Sequence, residues 1–291
     1  MCITITTLIE NSGGGNGLYQ EHGLSFYVQV DQHNILFDTG QSDKFLHNAE
    51  VLGVDMTTLN DVIISHRHYD HGGGYPYLVD RLQVQPTLHI SKHFFVEKYA
   101  LNEGEYRTKD TCIHEDAINR HHIPTELVRD KIKYIARDVF IVGNFQEQID
   151  FEKTDNHFFI KKDGKYVRDS FRDEIALCIK TFEGLIVMVG CSHPGIVTML
   201  TSIVKRTGES IYMVIGGTHL IHASDQRIKK TMDYFTKQDI DYIGVSHCTG
   251  ETATDAMQSM KGYFLNKTGT VIHIGKYGEV SISHSDDHIV P

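Results

Sequence analysis

Short apolar runs alternate with polar, glycine-rich breaks along most of this chain. Ile3 to Ile9 is apolar and β-branched and predicts a strand, and Asn11-Ser12-Gly13-Gly14-Gly15-Asn16-Gly17 after it predicts a loop. Leu24 to Val30 and Asn34 to Phe37 predict two strands joined by a turn at Asp31-Gln32-His33, with Asp38-Thr39-Gly40 ending the second. Lys44 to Leu52 has helical spacing. Asp61-Val62-Ile63-Ile64-Ser65 is a continuous apolar run of the kind covered on both faces of a sheet. Further on, Glu174 to Thr181 and Leu185 to Val189 predict a hairpin about Phe182-Glu183-Gly184. Helices over Gly195 to Lys205, Asp225 to Lys237 and Thr252 to Tyr263 then lead into strands over Ile211 to Ile215, Asp241 to Val245 and Thr270 to Ile274. Strands that open each half and then alternate with helices predict sheets with helices outside them. A hairpin at the head of both halves also fits an internal duplication.

The segment 92–170 breaks this rhythm. It is rich in charge and histidine (Glu103, Glu105, Arg107, Lys109, His114, Arg120, His121, His122), with strand-like pieces near Lys131 to Ile135 and Val139 to Val142. It reads as an insertion or covering segment within a single domain spanning 1–291, and equally as a solvated surface loop. His121 and His122 read as surface residues, and Tyr234 and Phe235 as core packing.

Composition narrows the function. The 291 residues are 40% hydrophobic and 23% charged, as in an ordinary folded protein. A formal net charge of −10 argues against nucleic acid, which needs a basic face. No run reaches the roughly 20 apolar residues that span a bilayer, and the N-terminus has no secretory pattern, so no membrane is expected and a cytoplasmic location is. Cys2, Cys112, Cys178, Cys191 and Cys248 are scattered and form no CxxC pair, which fits a reducing compartment. Histidine stands out, with 19 in the chain. The count matters only if the spacing does.

It does at Ser65-His66-Arg67-His68-Tyr69-Asp70-His71-Gly72-Gly73-Gly74, which begins where a buried strand runs out. A turn there can fold several side chains over one point. His66, His68, Asp70 and His71 supply nitrogen and oxygen donors suited to Zn²⁺, with Fe or Mn as alternatives. The bland reading is a polar turn that happens to be rich in histidine. Three later stretches also follow apolar strands: Gly190-Cys191-Ser192-His193-Pro194-Gly195, Gly216-Gly217-Thr218-His219-Leu220 and Val245-Ser246-His247-Cys248-Thr249-Gly250. Ligands at one edge of a sheet can converge. A lone histidine at a strand end is ordinarily a hydrogen-bonded surface residue.

The stretch His66-x-His68-x-Asp70-His71 resembles the signature of the metallo-β-lactamase superfamily, and Phe37-Asp38-Thr39-Gly40 resembles that family's upstream strand end. The resemblance implies an α+β, four-layer αββα sandwich of two mixed sheets with helices outside. It also implies a metal site completed by a further His, a bridging Asp and a final His. This chain departs there: the hairpin begins Arg172-Asp173-Glu174 and ends Cys191-Ser192-His193, so the usual bridging Asp is missing. His193 and His247 are the expected ligands, and Cys191 stands as a thiolate candidate. His219 is left as a ligand or a catalytic acid/base. The three later stretches together resemble the dihydropterin-methyl-ribofuranosyl-aminobenzene-phosphate synthase-like branch, some members of which act on a phosphorylated pterin-related molecule.

The expectation is a hydrolase with one or two metal ions, Asp70 and His219 as catalytic residues, and a small anionic substrate such as a phosphoester or a pterin- or nucleotide-like molecule. No nucleic-acid or membrane partner is expected, and a homodimer is compatible with the sequence. Two other classes compete. One is a redox protein like the superfamily's di-iron flavoproteins, which carry an attached flavin domain that has no sign here. The other is a metal-binding protein without turnover.

Overall fold

The β-branched run Ile3–Ile9 forms a strand hydrogen-bonded on both edges, antiparallel to Ser25–Val30 on one side and Thr270–Ile274 on the other. In the computed structural model, which describes residues 1–147 and 149–285, it lies within an eight-stranded mixed sheet. The spatial order is Val280–His284, Thr270–Ile274, Ile3–Ile9, Ser25–Val30, His33–Phe37, Asp61–Ile63, Thr87–Ser91 and Thr125–Val128. The pair His33–Phe37 with Asp61–Ile63 is parallel, and so is Asp61–Ile63 with Thr87–Ser91. Phe26, Phe37, Phe45, Ile5 and Leu8 are fully buried about this sheet. Each such side chain contributes roughly 1.5–3 kcal/mol of burial.

This sheet belongs to a compact unit of Met1–Ile90, Thr111–Leu127 and the chain from Asn266. A second unit, Ser91–Asp110 and Val128–Leu265, has its own core and two sheets. Its six-stranded sheet runs Tyr242–Ser246, Ile211–Gly217, Leu185–Val189, Ile175–Lys180, Val139–Gly143 and Ile132–Ala136. The first three strands are mutually parallel and the rest antiparallel. Helix Ile196–Thr207 buries Ile196, Met199, Leu200 and Ile203, and helix Asp225–Lys237 buries Ile228 and Phe235, into one apolar cluster with Val187, Val189 and Val214. That spacing is the period of an amphipathic helix.

The 92–170 segment holds more structure than its charge predicts. Lys98–Asn102, Glu105–Thr108, Phe158–Lys162 and Lys165–Arg168 make a four-stranded antiparallel sheet. Two of these strands, Glu105–Thr108 and Lys165–Arg168, are exposed throughout, so they carry no hydrophobic alternation to read. The helix expected to reach Tyr263 spans only Glu251–Met257. Past it the chain turns at Gly262, whose φ is +78°, where a Cβ would collide with the Asp241 carbonyl.

Candidate metal centre

In parallel arrays, side chains gather just beyond the carboxyl ends of the strands. In the first unit, strand His33–Phe37 delivers Asp38 and strand Asp61–Ile63 delivers Ser65 and His66. Asp38 is fully buried at φ +60°. Its carboxylate accepts the Ser65 backbone N–H at 2.7 Å and the Ser65 hydroxyl at 2.8 Å, and pairs with His71 Nδ1 at 2.6 Å. Anchoring His71 through Nδ1 turns its Nε2 toward a ligand position, the way a carboxylate fixes a metal-binding imidazole. The Ser65 hydroxyl lies 2.9 Å from His66 Nδ1. His66 Nε2 and His68 Nδ1 converge to 3.1 Å, and the His66 and His71 ring centroids are 4.3 Å apart. One short helix, Tyr69–Gly72, carries Asp70 and His71. The Asp70 carboxylate stands 3.8 Å from His71 Nε2 and 3.2 Å from His22 Nε2. All four predicted ligands of this cluster are buried.

The second unit builds its cluster from more distant pieces. Strands Leu185–Val189, Ile211–Gly217 and Tyr242–Ser246 end in Cys191-Ser192-His193, His219 and His247-Cys248. Ser192, His219 and His247 hold φ values of +61°, +49° and +55°. Non-glycine residues adopt this region at a cost of about 1–2 kcal/mol, so packing must enforce it. Gly217 lets the loops close, since a Cβ there would meet Cys248 Sγ and the Gly190 carbonyl. Cys191, His219 and Cys248 bring one ligand atom each within 4.8 Å of one another. The His193 and His219 rings lie 4.2 Å apart, and Phe171 stacks on His193 at 3.9 Å with 7° between planes. His247 is buried in the same turn as Cys248.

Residues outside the predicted set hold this cluster in place. The Glu174 carboxylate accepts the backbone N–H groups of Cys191, Ser192 and His193 at 3.2, 2.8 and 3.2 Å. Glu174 sits where the resemblance expects a histidine at the hairpin's start, and it anchors the loop. Asp155 stands 3.8 Å from His219 Nε2. Burial opposes charge on the His219 ring, but Asp155 and the Cys248 sulfur outweigh it and push the imidazole up to about 9. Burial likewise opposes ionisation of Cys248, yet the Cys191 and His219 hydrogen bonds and the neighbouring His247 hold it well below the usual thiol range. Cys248 lies outside the set of ligands that the sequence predicts. Its burial at a strand end beside two other donors is what distinguishes it.

Comparison with known proteins decides the family. A synthase of Methanocaldococcus jannaschii, named for 7,8-dihydropterin-6-methyl-4-(β-D-ribofuranosyl)-aminobenzene-5'-phosphate, is 34% identical over 288 residues, covering 94% of this chain and 95% of its own. The family profile described as metallo-beta-lactamase superfamily matches residues 18–160. The chain belongs to the metallo-β-lactamase superfamily. A crystallised metal-dependent hydrolase of the β-lactamase superfamily shares 32% identity and a TM-score of 0.81, covering 94% of this chain and 100% of that one. YhfI from Bacillus subtilis matches at a TM-score of 0.58 with 13% identity over 97% of this chain and 100% of its own, which speaks for the fold alone. The α+β metallo-β-lactamase fold is therefore established, and the resemblance to the synthase branch holds at the level of the whole chain. Members of this superfamily bind divalent metals. The imidazole and carboxylate donors of the first cluster fit such an ion, with His71 already oriented by Asp38. Among the described residues, no helix is long and apolar enough to cross a membrane.

Proposed function

We propose that this superfamily member is a metal-dependent hydrolase acting on a small anionic substrate, a phosphoester or a pterin- or nucleotide-like compound. The ligands are His66, His68, Asp70 and His71 in the first unit and Cys191, His193 and His247 in the second, holding one or two ions. Zn²⁺ suits the mixed nitrogen, oxygen and sulfur donors best, with Fe or Mn as the alternatives. The observation that carries the reading is the buried first cluster, in which Asp38 fixes His71 and Ser65 contacts His66. When bound, a divalent ion supplies Lewis acidity and a water acidic enough to ionise near neutral pH.

The protein's own groups do the rest. Asp70 orients the attacking water and accepts its hydrogen bond, and His22 stands 3.2 Å from that carboxylate. His219, charged beside Asp155, offers a proton to the departing oxygen or a hydrogen bond to a phosphoryl oxygen. Phe171 and Glu174 hold His193 in one orientation through stacking and backbone hydrogen bonds.

The test replaces His66 and His68 by Ala and measures metal by elemental analysis together with turnover of generic phosphodiesters, lactones and thioesters. Metal stoichiometry equal to wild type would sink the ligand assignment. Bound metal with no turnover of any of these substrates would sink the hydrolase. The name of the archaeal relative favours a second reading, a synthase that forms a bond on a phosphate-bearing pterin compound with the same residues.

A further inference from the structure

A cavity of about 320 Å³ in the second unit is lined by Phe145, Gln146, Thr154, Ser170, Arg172 and Pro194. Three of these walls are chain neighbours of site residues. Thr154 precedes Asp155, the partner of His219; Arg172 follows Phe171, which stacks on His193; and Pro194 follows His193 itself. The backbone that places the second cluster therefore also shapes this cavity.

Its chemistry is one-sided. Gln146, Thr154, Ser170 and Arg172 are hydrogen-bond donors, and none of the lining residues is acidic. Among the described residues no carboxylate pairs with the Arg172 side chain. Asp169 and Asp173 share a smaller cavity of about 140 Å³ with Arg172 but both pair with buried Lys98 at 2.6 Å. An unpaired guanidinium beside two hydroxyls and an amide is a receptor for a tetrahedral oxyanion, which it grips with two parallel N–H bonds. A chain of net charge −10 needs such a local cation to hold an anionic ligand. Phe145 and Pro194 add apolar surface for a carbon skeleton, and the volume lies at the small end of ligand pockets.

We propose that this cavity is a phosphate-monoester subsite, with Arg172 as the residue that selects phosphorylated substrates. The inference rests on the second cluster being part of the active site, and it makes the phosphate a handle for binding while another bond reacts.

Calorimetric titration of the full-length protein as purified, with ribose 5-phosphate and ribose as probes, tests it. Wild type is expected to bind ribose 5-phosphate and not ribose. Arg172→Ala should weaken binding by about tenfold or more, the worth of a charge-assisted pair. Arg172→Lys should recover part of the loss and Thr154→Ala should lose a fewfold. Arg172 is exposed, so Arg172→Ala should keep the wild-type melting temperature and metal content. Binding by Arg172→Ala as tight as wild type, or equal binding of ribose and its phosphate, overturns the subsite. Because metal bound elsewhere is common to all variants, the difference between them reports the cavity alone. Arg172-dependent binding without hydrolysis supports the subsite and removes only the hydrolase reading.

Discussion

The two clusters of site residues are made in opposite ways. In the first unit His66, His68, Asp70 and His71 come from a single turn of chain, and the one distant residue they need is Asp38. In the second unit the donors come from three strand ends, and their supports, Asp155, Phe171 and Glu174, come from elsewhere again. A local cluster is specified by its own sequence and tolerates change around it. A dispersed cluster is only as exact as the packing that brings its pieces together. Mutations should therefore damage the first through chemistry and the second through structure.

The largest expected effect tests the chemical side. Replacing both His66 and His68 by Ala should reduce turnover on the order of a thousandfold or more, since metal catalysis contributes several kcal/mol to the barrier. The fold should survive, because only a turn is altered. Elemental analysis, turnover and thermal melting together check this. A collapse in melting temperature would mean that the first cluster is structural as well.

The next effect tests the structural side. Lys98 is buried with Asp169 and Asp173, each 2.6 Å from its ammonium, and its ammonium lies 4.9 Å from the Phe171 ring that stacks on His193. Lys98→Met leaves two buried carboxylates without their cation and should cost about 3–5 kcal/mol. Burial opposes the Lys98 charge, but Asp173 and Asp169 outweigh it and raise its pKa. A raised lysine contributes stability that is complete below its ordinary value of about 10.4 and is lost as pH rises through its folded value. Denaturant titrations should show a wide gap between wild type and Lys98→Met at pH 8 that narrows above pH 11. An equal gap at both would remove the ion pair from the explanation.

Lys98 also shows why half of the site escaped sequence reading. It lies 71 residues from Asp169, and nothing in Lys98-Tyr99-Ala100 marks it as buried. The HxHxDH stretch was legible because its candidate donors are contiguous and follow an apolar strand. His193, His219 and His247 were legible only as histidines at strand ends. Glu174 and Asp155 fall in charge-rich sequence where a buried carboxylate looks like any other. The same holds for the fold. Helix Asp225–Lys237 and strand Thr270–Ile274 fall at their expected bounds because burial on one face leaves a period, and strands Ile3–Ile9 and Leu185–Val189 because burial on both faces leaves an apolar run. The four-stranded sheet in 92–170 has two fully exposed strands and leaves none.

A third effect returns to the first cluster and measures how far its supports matter. Asp38→Asn keeps the size of the side chain but weakens its bond to His71 Nδ1 and alters the hydrogen bonds from Ser65. Loss of such a supporting carboxylate lowers metal affinity by roughly 10–100-fold. Competition against a chromophoric chelator reads the change directly. An affinity unchanged within twofold would mean that the local cluster needs no distant partner at all.

The smallest effect concerns the weakest link of the dispersed cluster, the pair of Asp155 with His219. Asp155 is held well below the usual carboxylate range, first by the His219 imidazole 3.8 Å away, with burial working against it. A lowered carboxylate contributes stability present above its unfolded value of about 4 and lost as pH falls through its folded value. His219, pushed up to about 9, contributes stability complete below about 6.5 and lost as pH rises through about 9. The pair is therefore worth most where both conditions hold, from about pH 4 to pH 6.5. Asp155 is partly exposed, so solvent screening keeps its worth to about 1 kcal/mol or less. Melting curves of wild type and Asp155→Asn from pH 3 to pH 10 should differ most in that window, begin to narrow towards pH 3 and converge by pH 10. A difference independent of pH would mean that Asp155 acts by shape, through its 2.9 Å backbone bond to His157, and that the second cluster is held together by packing alone.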